Sequence, residues 1–114
     1  MSATFFEHVE WDALPVVLAE LRRVLVRGST VMFVGPDIVR ARATGQPQHI
    51  LDAITDLQGG PGGHKWIADE KLTLRAVERG GFRNAKPVPI ASVTNPPYPN
   101  PTTAEWQCAI EAKR

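Results

Sequence analysis

Cysteine is almost absent from this sequence of 114 residues: Cys108 stands alone. A single thiol excludes an intramolecular disulfide and leaves no cysteine pair for a zinc knuckle, so a reducing environment is the natural home. An excess of charge of one sign is missing as well, since 13 Lys and Arg stand against 12 Asp and Glu for a net charge of +1. That balance gives no basic footprint for nucleic acid or for an anionic membrane, and nucleic-acid binding is not expected. Long apolar runs are also lacking. The opening Met1-Ser2-Ala3-Thr4-Phe5-Phe6-Glu7-His8 carries neither a basic leader nor a spanning segment, so a soluble, cytoplasmic protein with no membrane partner is the expectation. The length leaves room for a single domain over residues 1–114 with one modest core, because small chains bury a lower fraction of their surface.

What the sequence does have is punctuation. Its ten prolines and nine glycines gather at residues 59–63 and 96–101, with apolar segments between them, as loops do in a folded domain. Asp12 offers a side-chain cap and Pro15 is tolerated in a first turn, so a helix is expected from there. Its buried stripe is Leu14, Val17, Leu18, Leu21 and Leu25, with Arg22, Arg23 and Arg27 at the negative end of the dipole and Gly28 as the closing cap. Residues 30–34 form a short, β-branched apolar run, the pattern of a strand covered on both faces, ended by Gly35-Pro36-Asp37. A second helix is expected over residues 48–57, with Ile50, Leu51, Ile54 and Leu57 on one side. A third starts at an Asp69 cap, carries Leu72, Ala76 and Arg79 beside Leu74 and Val77, and stops at Gly80-Gly81. Residues 84–90 read as an edge strand, because Pro87 and Pro89 remove ladder donors. Residues 105–112 alternate, with Trp106, Cys108, Ile110 and Ala112 on one face. The fold class is therefore α/β, a small mixed sheet with three helices, about half of a doubly wound fold.

Several stretches, taken in order, resemble the class I S-adenosylmethionine (SAM) dependent methyltransferases of the broad small-molecule type. Ala3-Thr4-Phe5-Phe6-Glu7-His8-Val9 is similar to the segment after that family's fourth strand. Leu18-Ala19-Glu20-Leu21-Arg22-Arg23-Val24-Leu25-Val26-Arg27-Gly28 resembles its helix ending in RRVLKPGG, with Arg27 and Ser29 in place of the Pro and second Gly. Val34-Gly35-Pro36-Asp37 looks like the VPD end of the fifth strand. His64-Lys65-Trp66 and the stretch from Ala76 to Phe82 look like the HRW and EAGF segments before the sixth, and Trp106-Gln107-Cys108-Ala109-Ile110 would be the seventh. The resemblance implies a partial Rossmann-like methyltransferase fold. It also places the first strand, the Gly-rich turn, the ribose-binding acid and the fourth strand before Met1. The family's fifth, seventh and sixth strands are neighbours, so residues 30–34 would be an exposed edge, and such an edge seeks a partner strand. The implied partner is a separately encoded cofactor-binding half or a second copy, and SAM is expected only where that partner supplies its site.

The chemistry candidates each carry a plainer reading. Glu7-His8 is similar to part of a Glu-x-x-Glu-His metal segment of some quinone O-methyltransferases, but Thr4 replaces the first Glu, so no metal site is expected. His8 is then a candidate general base, against the favoured reading of a frayed N-terminal segment or a packed turn. His64 and Trp66 could line a substrate entrance, with the indole stacking on a planar acceptor, or Trp66 could simply cover the core. Gly59-Gly60-Pro61-Gly62-Gly63 follows a helix and has no Lys-Ser/Thr pair, which makes it a connection and not a phosphate loop. Asn95-Pro96-Pro97-Tyr98 matches the motif of N6-adenine and glutamine N-methyltransferases, yet it lies between the sixth and seventh strands instead of after the fourth, and it reads as a turn. Cys108 reads as a small core group. The functional expectation is a truncated or split methyltransferase-like protein, inactive alone and completed by a partner or by oligomerisation. The alternative is a non-catalytic interaction or assembly module that uses the same edge.

Overall fold

The computed structural model describes the backbone of residues 2–3 and, in full, residues 9–48, 50, 66, 68–90 and 107–114. Four strands, β1 (Ser2–Ala3), β2 (Thr30–Pro36), β3 (Arg83–Val88) and β4 (Gln107–Lys113), form one sheet in the order β1-β2-β4-β3. β4 runs antiparallel to both of its neighbours, while β1 is parallel to β2. Three described helices accompany them: α1 (Leu14–Val24), α2 (Ile38–Ala43) and α3 (Glu70–Arg79).

The two central strands decide where the core lies. On one face Val31 and Phe33 of β2 and Ile110 and Ala112 of β4 meet Leu14 and Leu18 of α1, Ala76 and Val77 of α3, and Phe82. Phe33 and Phe82 stack edge to face with centroids 5.1 Å apart, a preferred arrangement for aromatic quadrupoles. On the other face Val34 and Ala109 are buried beside Met32, Val88 and Ile90. Burying side chains of this size contributes about 1.5–3 kcal/mol each, so the strands with two buried faces dominate the stability. β3, by contrast, is paired on one side only and is mostly exposed, with a register irregularity between Arg83 and Lys86. It is the edge strand that its prolines require.

The structure departs from the sequence expectations at several places, each with a local cause. Asp12 does not cap α1. Glu10 O accepts from both Ala13 N and Leu14 N, so the chain enters the helix through a backbone turn, with Ala13 at the cap position and no side-chain cap bond. Gly28 does not close α1 either. The helix stops at Val24, Leu25 turns extended with its side chain against the core, and Gly28, at φ +78°, serves the turn that leads into β2. β2 is not bare along its outer edge, because Ser2 and Ala3 pair with Met32 and Phe33. This also corrects the expectation that the strand beyond β2 lies wholly before Met1. α2 was not foreseen: Asp37 ends β2 as expected but then caps a short helix, accepting from Val39 N and Arg40 N. In the expected helix over 48–57, Gln48 and Ile50 are helical and the rest lies outside the described residues. The Asp69 cap and the Gly80-Gly81 stop are as read from the sequence, with Asp69 accepting from Leu72 N at 2.8 Å.

Gly80 is needed for space. Its φ is an ordinary −72°, but a Cβ there would lie 2.5 Å from Cβ of the buried Leu18, so its bare backbone allows α1 and α3 to meet. Gly80→Ala is expected to destabilise the fold by about 1–3 kcal/mol, the usual cost of overpacking a tight contact. A denaturant melt measures this, and an unchanged midpoint would show that the helices do not meet there.

Candidate functional site

The carboxyl ends of β1 and β2 point to the same edge of the sheet, because the two strands are parallel. In open α/β sheets that edge is where ligands sit. There β2 delivers Asp37, which is 2% exposed. Its carboxylate accepts from Val39 N at 2.9 Å and Arg40 N at 3.3 Å, and Nε of Arg40 lies 3.3 Å from its other oxygen. The Arg40 guanidinium reaches on to Glu70 in the first turn of α3, donating from Nη2 to Oε2 at 2.8 Å. Arg40 thus ties α2 to α3 with a carboxylate on either side. The hydrogen bond to Glu70, together with the charges of Glu70 and Asp37, holds the guanidinium protonated even above its ordinary range. A backbone bond from Ile38 N to Ala68 O, 3.0 Å, closes the junction. Outside it lies an open groove of about 360 Å³ lined by Asp37, Val39, Arg40, Asp69, Glu70 and Lys71.

This arrangement can bind and orient polar groups. No Ser, Thr or Cys is among the described residues that line it, and the buried Asp37 carboxylate is already used by two amides and a guanidinium. Cys108, with charges of Asp37, Arg40 and Glu70 around it, is buried. Burial, with the Asp37 charge adding to it, pushes its thiol up to about 12, while the buried Thr73 hydroxyl works in the opposite direction. The thiolate is therefore strongly disfavoured, and Cys108 is the core group expected from its position. Among the described residues no group of three or more His, Cys, Asp or Glu side chains could hold a metal ion, and no helix is long and apolar enough to cross a membrane.

Of the site residues expected from sequence, His8 and His64 lie outside the described residues, as do Glu7, the glycine run at 59–63 and Asn95-Pro96-Pro97-Tyr98. Trp66 is described. Its Nε1 donates to Val9 O at 3.1 Å, its ring meets Trp11 edge to face at 4.9 Å, and it packs against the main core cluster. The sequence reading missed the Asp37-Arg40-Glu70 network. Its only local signal is an Asp three residues before an Arg, which is common, and the Glu70 partner lies 30 residues away.

With the geometry in place, a known crystal structure can be set beside it. The chain is similar to a protein from Nostoc punctiforme described as a putative O-methyltransferase, with a TM-score of 0.62 and 16% identity. The fold is methyltransferase-like. The match takes in 99% of this chain but only 30% of the Nostoc protein, so the chain spans under a third of the length of its structural neighbour. No protein-family model matches the sequence, and no curated protein matches it.

Burial of Cys108 has a measurable consequence. Its folded-state pKa lies above its ordinary value of 9.0, so the stability it contributes is fully present below pH ~9 and is lost as pH rises toward 12. At pH 8 its reaction with a disulfide reagent should proceed only as fast as the chain unfolds. A rapid stoichiometric burst from the native protein would contradict this burial.

Proposed function

We propose that the chain is the acceptor-side half of a SAM-dependent methyltransferase fold, with the cofactor-binding half supplied from outside this sequence. That half could be a neighbouring segment, a separately encoded chain or a second copy. The observation that carries this reading is the strand order β1-β2-β4-β3, with β1 parallel to β2 and β4 antiparallel to both of its neighbours. In a doubly wound sheet the fourth strand lies beside the fifth, so β1 and β2 fit those two places, and β4 and β3 fit the seventh and sixth. The Gly-rich first turn and the ribose-binding acid belong to the strands beyond β1, and no stretch of this sequence takes their place. The methyl-accepting substrate would then meet the carboxyl edge of the sheet, where the groove at Asp37, Arg40 and Glu70 can orient its polar groups.

In a completed assembly SAM would supply an electrophilic methyl group: the acceptor heteroatom would bond to the methyl carbon as its bond to sulfur breaks, S-adenosylhomocysteine would leave, and the acceptor would give up a proton. The chain's contribution is alignment, and His8 is its candidate for receiving that proton. A second reading, a non-catalytic assembly module, draws on the position of β1 at the sheet edge, where its outer side can accept a further strand.

Calorimetric titration of the purified chain with S-adenosylhomocysteine tests the proposal. The expected result is no saturable heat up to about 1 mM ligand, which corresponds to a binding free energy weaker than about −4 kcal/mol. One-site binding by the isolated chain would overturn it, because a complete cofactor pocket would then exist within these residues.

A further inference from the structure

At the opposite end of the sheet the charges segregate differently. A groove of about 240 Å³ is lined by Arg22 of α1, Arg27 in the turn before β2, Gly81 after α3, Arg83 at the start of β3 and Arg114 after β4. Four of these five residues are arginines, and no carboxylate side chain lines the groove. Its walls come from three separate stretches of the chain, residues 22–27, 81–83 and 114, so the fold, and not a run of basic sequence, brings these cations together.

Cations near helix ends have an ordinary explanation, since the carboxyl ends of α1 and α3 attract them. That accounts for Arg22 and Arg27 but not for the rest. Arg83 follows α3 in the first position of β3 and donates from Nη2 to the backbone oxygen of Arg114 at 2.8 Å. Arg114, whose backbone N–H is bonded to Ser29 O, buries its Nε without a hydrogen-bond partner, and the Ser29 hydroxyl is buried without one as well. A buried charged donor left unmade is costly. Gly81 shapes the wall: a Cβ there would come within 2.9 Å of Nε of Arg22, so the bare backbone lets that side chain lie across it.

We propose that this groove binds a phosphoryl group carried by a small molecule. Arginine forks match the tetrahedral oxygens of a phosphoryl group in number and geometry. A groove of about 240 Å³ suits a compact anion, and a nucleic-acid backbone would need an extended basic stripe, which a chain of net charge +1 does not supply. The site is separate from the carboxyl edge assigned to the methyl acceptor, and its test does not depend on methyl transfer.

The probe is inorganic phosphate, titrated calorimetrically at constant ionic strength against the intact chain, Arg22→Gln, Arg27→Gln and the surface control Arg42→Gln. The expected result is one saturable site that weakens roughly tenfold or more with Arg22→Gln or Arg27→Gln, the loss of one hydrogen bond to a charged group, and that Arg42→Gln leaves unchanged. Thermal melts confirm that each variant folds, and Arg27, exposed in a turn, keeps the test open if Arg22→Gln does not. Absence of saturable binding at 10 mM phosphate, on the order of the weakest affinity that calorimetry resolves, would overturn the proposal. Equal weakening by Arg42→Gln would overturn it too, as would a single-stranded oligonucleotide outcompeting phosphate with a steep salt dependence.

Discussion

The ladder between β2 and β4 is the interaction on which the rest of the molecule depends. It runs from Thr30 opposite Lys113 to Pro36 opposite Gln107 without a register break. Both buried clusters are built on it: Val31, Phe33, Ile110 and Ala112 on the side of α1 and α3, Val34 and Ala109 on the other. A one-residue slip would exchange these sets between faces that differ in shape and covering. Register is therefore specified by packing from both sides, and the flanking strands β1 and β3 add to a frame already fixed.

The ladder also places charge at its two ends. At the end where β2 delivers Asp37, a buried carboxylate, a guanidinium and a second carboxylate join α2 to α3. At the other end Arg22, Arg27, Arg83 and Arg114 gather with no Asp or Glu side chain among them. A net charge of +1 conceals this division, because composition sums what the fold separates. The groove at each end joins elements distant in sequence, which is why neither reads as a motif. Breaking the Arg40 tie would leave Asp37 buried with a charge less well matched, and loss of one partner costs more than the pair is worth.

Much of the fold was legible because its signals are local or periodic. The β-branched run at 30–34 gave β2, the alternation through Cys108, Ile110 and Ala112 gave β4, Pro87 marked the edge strand, and Asp69 with Gly80 bracketed α3. Where the reading failed, a backbone interaction overrode a side-chain rule. Glu10 O captured the amides that Asp12 would have capped, and Leu25 left the helix before Gly28 could end it. β1 is a pairing of two residues, too short for periodicity to show. The network at Asp37, Arg40 and Glu70 depends on how β2 and α3 sit beside one another, which no spacing encodes. His8 and His64 came from resemblance alone and lie outside the described residues.

If the β2–β4 ladder carries this fold, protection against amide hydrogen exchange must follow it. β4 lies between two strands, so the amides of Cys108, Ala109, Ile110 and Ala112 should exchange only through global unfolding, while those of the short helix α2 exchange through local opening at lower free energy. Residue-resolved exchange of the native chain measures this ordering directly. The account predicts the slowest rates in β4 and β2, with β3 intermediate. Exchange in β4 as fast as in α2 would contradict it, and would mean that the sheet is not the element that holds the chain together.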